Sequence, residues 1–475
     1  MNSEYVEEVV DLTHPSAQRI LNMTVEQART LIRRGPAEAV RQIEGSFALI
    51  AREGKVVRLA RSLDRPMRYF LAKRHQGPAL IVADRIDGIW AWLKQEGLEA
   101  QFHPSYTRMV PAHHVVQIHL VGCPDPDPIY ERFFTPRRNA LSTDLDEIGA
   151  RYIGALGDEI AKWLRGIDSA APLSLTAARA PAAERDNSAA CVPSAAAAGG
   201  ATRAAEPIGV CFSGGIDSGA VFLVLYHCLL KLGMNPARLK AFTLCVQDGP
   251  DLDQARTFLQ RLGLGLFLEL IEANPSSLDP LETIRVLEDY KPLDVECALM
   301  GITLCRGIRH RYPDWRFLVD GDGGDENLKD YPIEENPELT IKSVVNNRLL
   351  YQEGWGLGTI KHSLTYSGGL SRSYTRTYAP ARYFHFEGFS PFTRPNVIEQ
   401  AEGIPFTALT GYDVGKLYQL KGDIVRRGVK ALTGLDMPIF PKRRFQHGAL
   451  RVDHLRQRLS GHETEYRKQF LGLYN

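Results

Sequence analysis

The sequence predicts an α/β protein: a C-terminal doubly wound parallel sheet preceded by a smaller α+β domain. Three observations carry this reading. After residue 206, short apolar runs alternate with helix-like stretches, the pattern of repeated strand–helix–strand units. Before residue 168, strand-like runs follow one another with turn residues between them. Between the two lies an Ala-, Pro- and Ser-rich segment with no aromatic residue and no steady apolar period, read as a disordered linker or a long surface insertion. A chain of 475 residues is too long for one compact core. The expected domains are therefore 1–165, 166–206 and 207–475.

In the first domain the runs GSFALIARE, KVVRLARS, RYFLAKR, PALIVAD and HHVVQIHLVG are expected strands, and Val25–Arg34, Ile86–Gln95 and Asp144–Leu164 expected helices. An antiparallel sheet with a few helices fits. In the second, IGVCF, LKAFTLCV, LFLELI and WRFLVDG are the strands, interleaved with helices over Gly219–Leu232, Leu252–Leu262 and Asp294–His310. Residues from about 330 onward read as mostly helical and irregular, with many aromatic residues.

Charged residues make up 24% of the chain and hydrophobic ones 44%, with a formal net charge of +1. That balance gives no basis for a nucleic-acid or acidic-membrane surface. No apolar run approaches the roughly 20 residues that span a bilayer. The start, MNSEYVEEVVDL, lacks the basic and apolar regions of a signal peptide, so a cytoplasmic location is expected. The seven cysteines form no CxxC pair and no zinc-like cluster, which suits buried, unbridged thiols.

The chemistry concentrates in two loops. IGVCFSGGIDSGAVF, residues 208–222, is a strand, a glycine turn and a helix start. Such junctions lie at the carboxyl ends of parallel strands, where ligands bind. Gly214 and Gly215 allow close approach, the loop and helix amides offer an anion site, and Ser213 and Ser218 add hydroxyls. Asp217 would repel a bare phosphate. It makes sense beside a cation such as Mg²⁺. Neither the Walker A pattern nor GxGxxG is present. The second loop, FLVDGDGGDE at 317–326, places several acids among glycines at the end of another strand. Taken alone, it would be an ordinary solvated turn.

SGGIDS resembles the pyrophosphate loop of the N-type ATP pyrophosphatases. It is most similar to that of the asparagine synthetase superfamily, which includes β-lactam synthetases and lasso-peptide cyclases. The acidic loop resembles the SGxGxDE motif of that group. The resemblance implies an adenine nucleotide α-hydrolase type of sheet and an AMP-forming amide ligase that uses ATP and Mg²⁺. It places Ser213, Gly214, Gly215, Asp217 and Ser218 on pyrophosphate and Asp217 and Asp325 on the metal. Gly321 lies in the nucleotide site, and Asp322 can act as base toward the attacking amine. Val246 at the second strand's end would touch adenine through its backbone, and Asp251, in Gly249-Pro250-Asp251-Leu252, lies near the nucleotide. Two lysines match the group's C-terminal pattern. Lys421, in LKGDIVR, resembles the KxxLR helix with one extra residue, and Lys442, in PKRRF, resembles RxKxGF and its catalytic lysine.

Two departures are equally informative. Residues 43–83 resemble the later part of a class II glutamine amidotransferase, an Ntn-like fold, yet Asn2 stands where the nucleophilic cysteine belongs and the first cysteine is Cys123. Domain 1–165 is therefore expected to be a degenerate scaffold without glutaminase activity. Second, the VEARVPF segment reads FEGFSPF here, with Phe389 in place of the carboxylate-binding arginine. Free aspartate becomes doubtful as a substrate. The aromatic neighbourhood (Tyr374, Tyr378, Tyr383, Phe384, Phe386, Phe389, Phe392) reads as plain core or as a larger acceptor pocket. The expected substrates are a small-molecule carboxylate and ammonia or an amine. The competing readings are a natural-product lactam or peptide cyclase and a non-catalytic nucleotide-binding pseudoenzyme. A homodimer is compatible with the sequence, which does not fix the oligomeric state.

Overall fold

The computed structural model describes residues 8–13, 18–75, 77–119, 127–168, 205–247, 249–330, 333–335, 339–346, 377–441, 448–450 and 462–475. In the N-terminal part the strands are β1 (Glu8–Asp11), β2 (Arg19–Ile20), β3 (Gly45–Ser46), β4 (Ala48–Glu53), β5 (Val56–Arg61), β6 (Arg68–Ala72), β7 (Ala79–Ala83), β8 (Arg108–Met109), β9 (His114–His119) and β10 (Ile129–Arg132). They build two four-stranded sheets, β10-β9-β5-β4 and β1-β7-β6-β8, beside a small β2-β3 pair. The first sheet is antiparallel throughout. In the second, β1 runs parallel to β7, so the single antiparallel sheet expected from the sequence is two sheets, one of them mixed.

The sheets face each other through Val57, Leu59, Val116 and Ile118 on one side and Tyr69, Leu80 and Val82 on the other. Helix α1 (Val25–Arg34) closes the outer face of the first sheet. It is started by a capping box between Thr24 and Gln27, and it packs Ala28 and Ile32, four residues apart, against Leu49, Ala51 and Ala60. Helix α2 (Ile86–Gln95) covers the second sheet, with Ile89 and Leu93 on Phe70, Ala72, Ile81 and Ala83. The layering is helix–sheet–sheet–helix. It explains why β7 is buried along its whole length and reads as a continuous apolar run rather than an alternating one.

The second unit holds β11 (Ile208–Cys211), β12 (Leu239–Val246), β13 (Leu268–Ala273), β14 (Phe317–Val319) and β15 (Glu387–Phe389). They form one sheet in the order β13-β12-β11-β14-β15, parallel at every pairing. Chain order reverses at the β11–β14 boundary, so the crevice beyond the carboxyl ends of these two strands is a topological switch point. Helix α3 (Leu145–Ile167), helix α4 (Ile216–Lys231) and the Val414–Thr433 helix cover one face. On the other, helix α7 (Pro292–Arg311), which follows α5 (Asp251–Arg261) and α6 (Pro280–Leu287), packs Leu299, Met300 and Leu304 against Phe242 and Leu318.

Two further features depart from the sequence reading. Helix α3 precedes the linker, which places it with the first domain. Its apolar face is nevertheless buried in the second core, where Ile153, Leu156 and Ile160 join Ile208 and Val210. Strand β15 lies in the region read as helical and irregular; three residues are too few to display a period of two. Among the described residues, Cys211, Cys228, Cys245, Cys297 and Cys305 are outside any disulfide and all but Cys211 are buried. No helix among those residues is long and apolar enough to cross a membrane.

Candidate functional site

Both motif loops emerge at the switch point. After β11 the chain turns through Gly214 at φ +72°, a conformation open to glycine. A Cβ there would lie 2.9 Å from the Ala255 backbone. The turn is tied internally. The Ser213 and Ser218 hydroxyls are 3.2 Å apart, the Gly215 amide donates to Ser213 Oγ at 3.3 Å, and Gln254 Nε2 donates to the Ser213 carbonyl at 3.2 Å. Gly215 caps α4 without a side-chain hydrogen bond, which leaves the helix start as a donor surface for an anion.

The acidic loop follows β14 and packs directly on the first loop. A Cβ at Gly321 would sit 2.8 Å from the Ser218 amide nitrogen, and one at Gly324 would overlap the Asp217 carboxylate. Glycine at both positions is what lets two acid-bearing loops close on one another. At the bottom, Asp320 is buried and accepts from the Asp322 amide at 3.0 Å and the Ser390 hydroxyl at 2.9 Å. Burial, reinforced by the Asp322 charge, pushes the Asp320 carboxyl well above its ordinary range.

Between the loops stands Lys421, from the Val414–Thr433 helix. Its side chain is 3% exposed. Its ammonium donates to Asp217 Oδ2 at 2.6 Å, makes a second hydrogen bond to Asp325 Oδ1, and pairs with Asp330 at 3.4 Å. Burial opposes the charged ammonium, but Asp217, Asp325 and Asp330 together outweigh it and hold the lysine pKa well above its usual value. The structure thus brings together three residues singled out in the sequence, Asp217, Asp325 and Lys421. Asp322 is on the same loop, half-buried. Asp330 and Ser390 were not legible as site residues. Asp330 carries a faint signal, an acid five places after Asp325; Ser390 carries none, because it arrives from β15 across the sheet.

Val246 is buried at the end of β12, packed with Ala449. Asp251, buried at the start of α5, lies so close to Gly448 that a Cβ there would overlap its carboxylate. Lys442 lies outside the described residues. The segment that departs from the resemblance after Asp325 is structural. Lys329 is buried at φ +59° and donates to Glu402 at 2.6 Å, and Asn327 donates to the Phe392 carbonyl at 2.9 Å. Phe389 is also core, stacked on Trp163 at 4.8 Å and 4°. Tyr378, Phe386 and Phe392 are buried with it, while Tyr383 is exposed; Tyr374 lies outside the described residues. Of the two readings of these aromatics, core describes Tyr378, Phe386, Phe389 and Phe392.

The arrangement is that of an α/β protein in which a glycine turn and an acidic loop meet at a topological switch point, where sheets of this kind bind ligands. Comparison with known families sharpens this: residues 195–379 match the family model described as asparagine synthase, so this part of the chain is similar to a family of ATP-dependent amide-forming ligases. No curated protein matches the chain. The family match takes in both motif loops but ends before β15 and Lys421, whose place in the site comes from the structure.

Proposed function

We propose that this protein is an AMP-forming amide ligase that adenylates a carboxylate with ATP and passes the acyl group to ammonia or an amine. The observation that carries the reading is the convergence of Asp217 and Asp325, from loops on adjacent strands, upon one ammonium. Two carboxylates aimed at one point, in a site of hard oxygen donors, suit Mg²⁺, which commonly takes one or two protein carboxylates and completes its shell with phosphate and water. Bound there, Mg²⁺ would offset phosphate charge and favour pyrophosphate departure. Asp217 and Asp325 would hold it.

The chain's own groups do the rest. The Ser213–Ser218 turn and the α4 start bind the leaving pyrophosphate. Lys421, freed from the carboxylates, supplies positive charge at the phosphates. Lys442 stabilises the negative charge that builds at the α-phosphate. Asp322 accepts the proton of the attacking amine. Val246 and Asp251 line the nucleotide side. The helix–sheet–sheet–helix layering supports reading the N-terminal unit as an Ntn-like scaffold. Phe389, stacked on Trp163, offers no charge for a substrate carboxylate, which disfavours free aspartate.

The test is pyrophosphate release from Mg-ATP across a panel of carboxylates, with ammonium and amines as acceptors. Lys442→Ala is expected to lower kcat by about 10²- to 10³-fold, the scale of losing one transition-state charge partner. An amide formed within one substrate molecule would mark a cyclase. No release across the panel, with ATP binding indifferent to Asp217→Ala, overturns the proposal.

A further inference from the structure

A deeply buried ion pair joins the two units. Asp64, in the loop after β5, and Arg394, after β15, have side chains 3% and 4% exposed, and Arg394 Nη2 donates to Asp64 Oδ2 at 2.7 Å. Arg394 Nη1 also donates to the Gly45 carbonyl at 3.0 Å and to Ser46 Oγ at 3.1 Å. The Ser46 and Ser62 hydroxyls donate to the same carboxylate at 2.6 and 2.7 Å. Burial opposes the charged carboxylate, but Arg394, Arg65 and the two hydroxyls overcome it and hold its pKa well below the usual range. A buried pair this well satisfied is strongly directional. Removing one partner would leave the other charge uncompensated.

What Arg394 holds is a wall of the candidate site. It directly follows the turn Pro391–Thr393. Phe392 Cβ and Thr393 Cγ2 each lie 3.3 Å from where a Cβ on Gly323 would be, and Gly323 itself sits at φ +98°. The Phe392 carbonyl accepts from Asn327 at 2.9 Å, and Ser390 donates to Asp320 at 2.9 Å. The acidic loop is thus gripped on either side of Asp322 and Asp325 by a single turn whose far end is fixed by the N-terminal unit.

We infer that Asp64 is a positioning residue for the ligase site, acting through Arg394 and the 390–394 turn on the loop that carries Asp322 and Asp325. The inference rests on the function proposed above. It gives the N-terminal unit a definite role, because its buried carboxylate sets the geometry of chemistry in the other unit. A second interdomain contact serves as a control. Glu288 accepts the Ile86 and Asp87 amides at 2.6 and 3.2 Å, capping α2 without reaching the acidic loop.

The experiment uses the full chain with Asp64→Asn, Asp64→Glu and Glu288→Gln. It follows pyrophosphate release, KM for ATP and amide hydrogen exchange over residues 320–327. For Asp64→Asn, kcat is expected to fall about 10- to 100-fold with KM for ATP changed less than about threefold, because misplacing reacting groups by an ångström costs on that order. Exchange at 320–327 should rise while that at 213–218 holds. Asp64→Glu should restore part of kcat, and Glu288→Gln should keep it. Should Asp64→Asn fail to fold, Arg394→Lys replaces it. A folded variant with unchanged exchange at 320–327, or with kcat within about twofold of wild type, overturns the relay. A wild type that releases no pyrophosphate overturns the ligase reading instead, and the exchange measurement still decides the relay.

Discussion

Lys421 occupies the point on which Asp217 and Asp325 converge, at hydrogen-bonding distance from both. An ammonium there and a divalent cation are alternatives, since both satisfy the same two carboxylates. Lys421→Met therefore has two opposed consequences. Without Mg²⁺ the variant should lose about 1–3 kcal/mol, the cost of leaving the half-buried Asp217 and Asp325 without their cation, and Mg²⁺ should restore part of it by binding the folded state. Calorimetric titration should show tighter Mg²⁺ binding to the nucleotide-free variant than to wild type, while pyrophosphate release falls about 10²- to 10³-fold. Equal Mg²⁺ affinity in the two proteins would mean that ion and ammonium do not compete. At this scale the site was largely legible, because the SGGIDS and DGDGGDE stretches put carboxylates where a bare phosphate loop has none. Ser390 was not, since it reaches the acidic loop only through the pairing of β15 with β14, and Asp330 showed only as an acid five places after Asp325.

The elements depend on close approach at a few glycines. Helix α3 and the Val414–Thr433 helix cross so tightly that a Cβ on Gly149 would lie 2.7 Å from the Ile424 carbonyl oxygen, and one on Gly428 would overlap the Gly149 backbone. Gly428→Ala should push the helices apart and cost about 1–3 kcal/mol by overpacking, measurable as a lower urea midpoint. Since the second helix carries Lys421, turnover should fall as well. Gly324→Ala acts differently. It meets the Asp217 carboxylate rather than a core contact, so activity should drop about 100-fold with a urea midpoint close to wild type. Strands and helices with strong apolar patterns were readable, α1 and α2 to their ends. Strand β15 was not, because its three residues gain their conformation from pairing with β14.

Across the whole molecule, the two units share buried polar contacts rather than a loose seam. Glu288 is fully buried between them, capping α2, with Arg85 bonding back to the Arg285 and Val286 carbonyls at 2.8 Å. Burial, with help from the Asp87 charge, pushes the Glu288 carboxyl from 4.5 up to about 7 against the pull of Arg85 and Arg68. The folded value thus exceeds the unfolded one, and between these pH values the folded chain holds a proton that the unfolded chain has released. The resulting stability is fully present below pH 4.5 and lost as pH rises through 7. Wild type should therefore lose, relative to Glu288→Gln, on the order of 1–3 kcal/mol between about pH 5 and 8. Urea unfolding of both proteins across that range checks it; a constant difference refutes it.

The sequence by itself determined the parallel sheet, the layout of its strands and helices, and the two loops that carry the acids. Each of these is written in local pattern: apolar runs, turn residues and short motifs whose spacing is fixed by neighbouring bonds. Only the tertiary structure decided which core α3 joins, that β15 completes the sheet, and that Phe389 is stacked core. It alone showed Lys421 lodged between Asp217 and Asp325, and Asp64 gripping Arg394 across the units. These are contacts between residues up to hundreds of positions apart. Sequence pattern records the preference of a segment for helix, strand or burial, but not which distant partner will satisfy a buried charge.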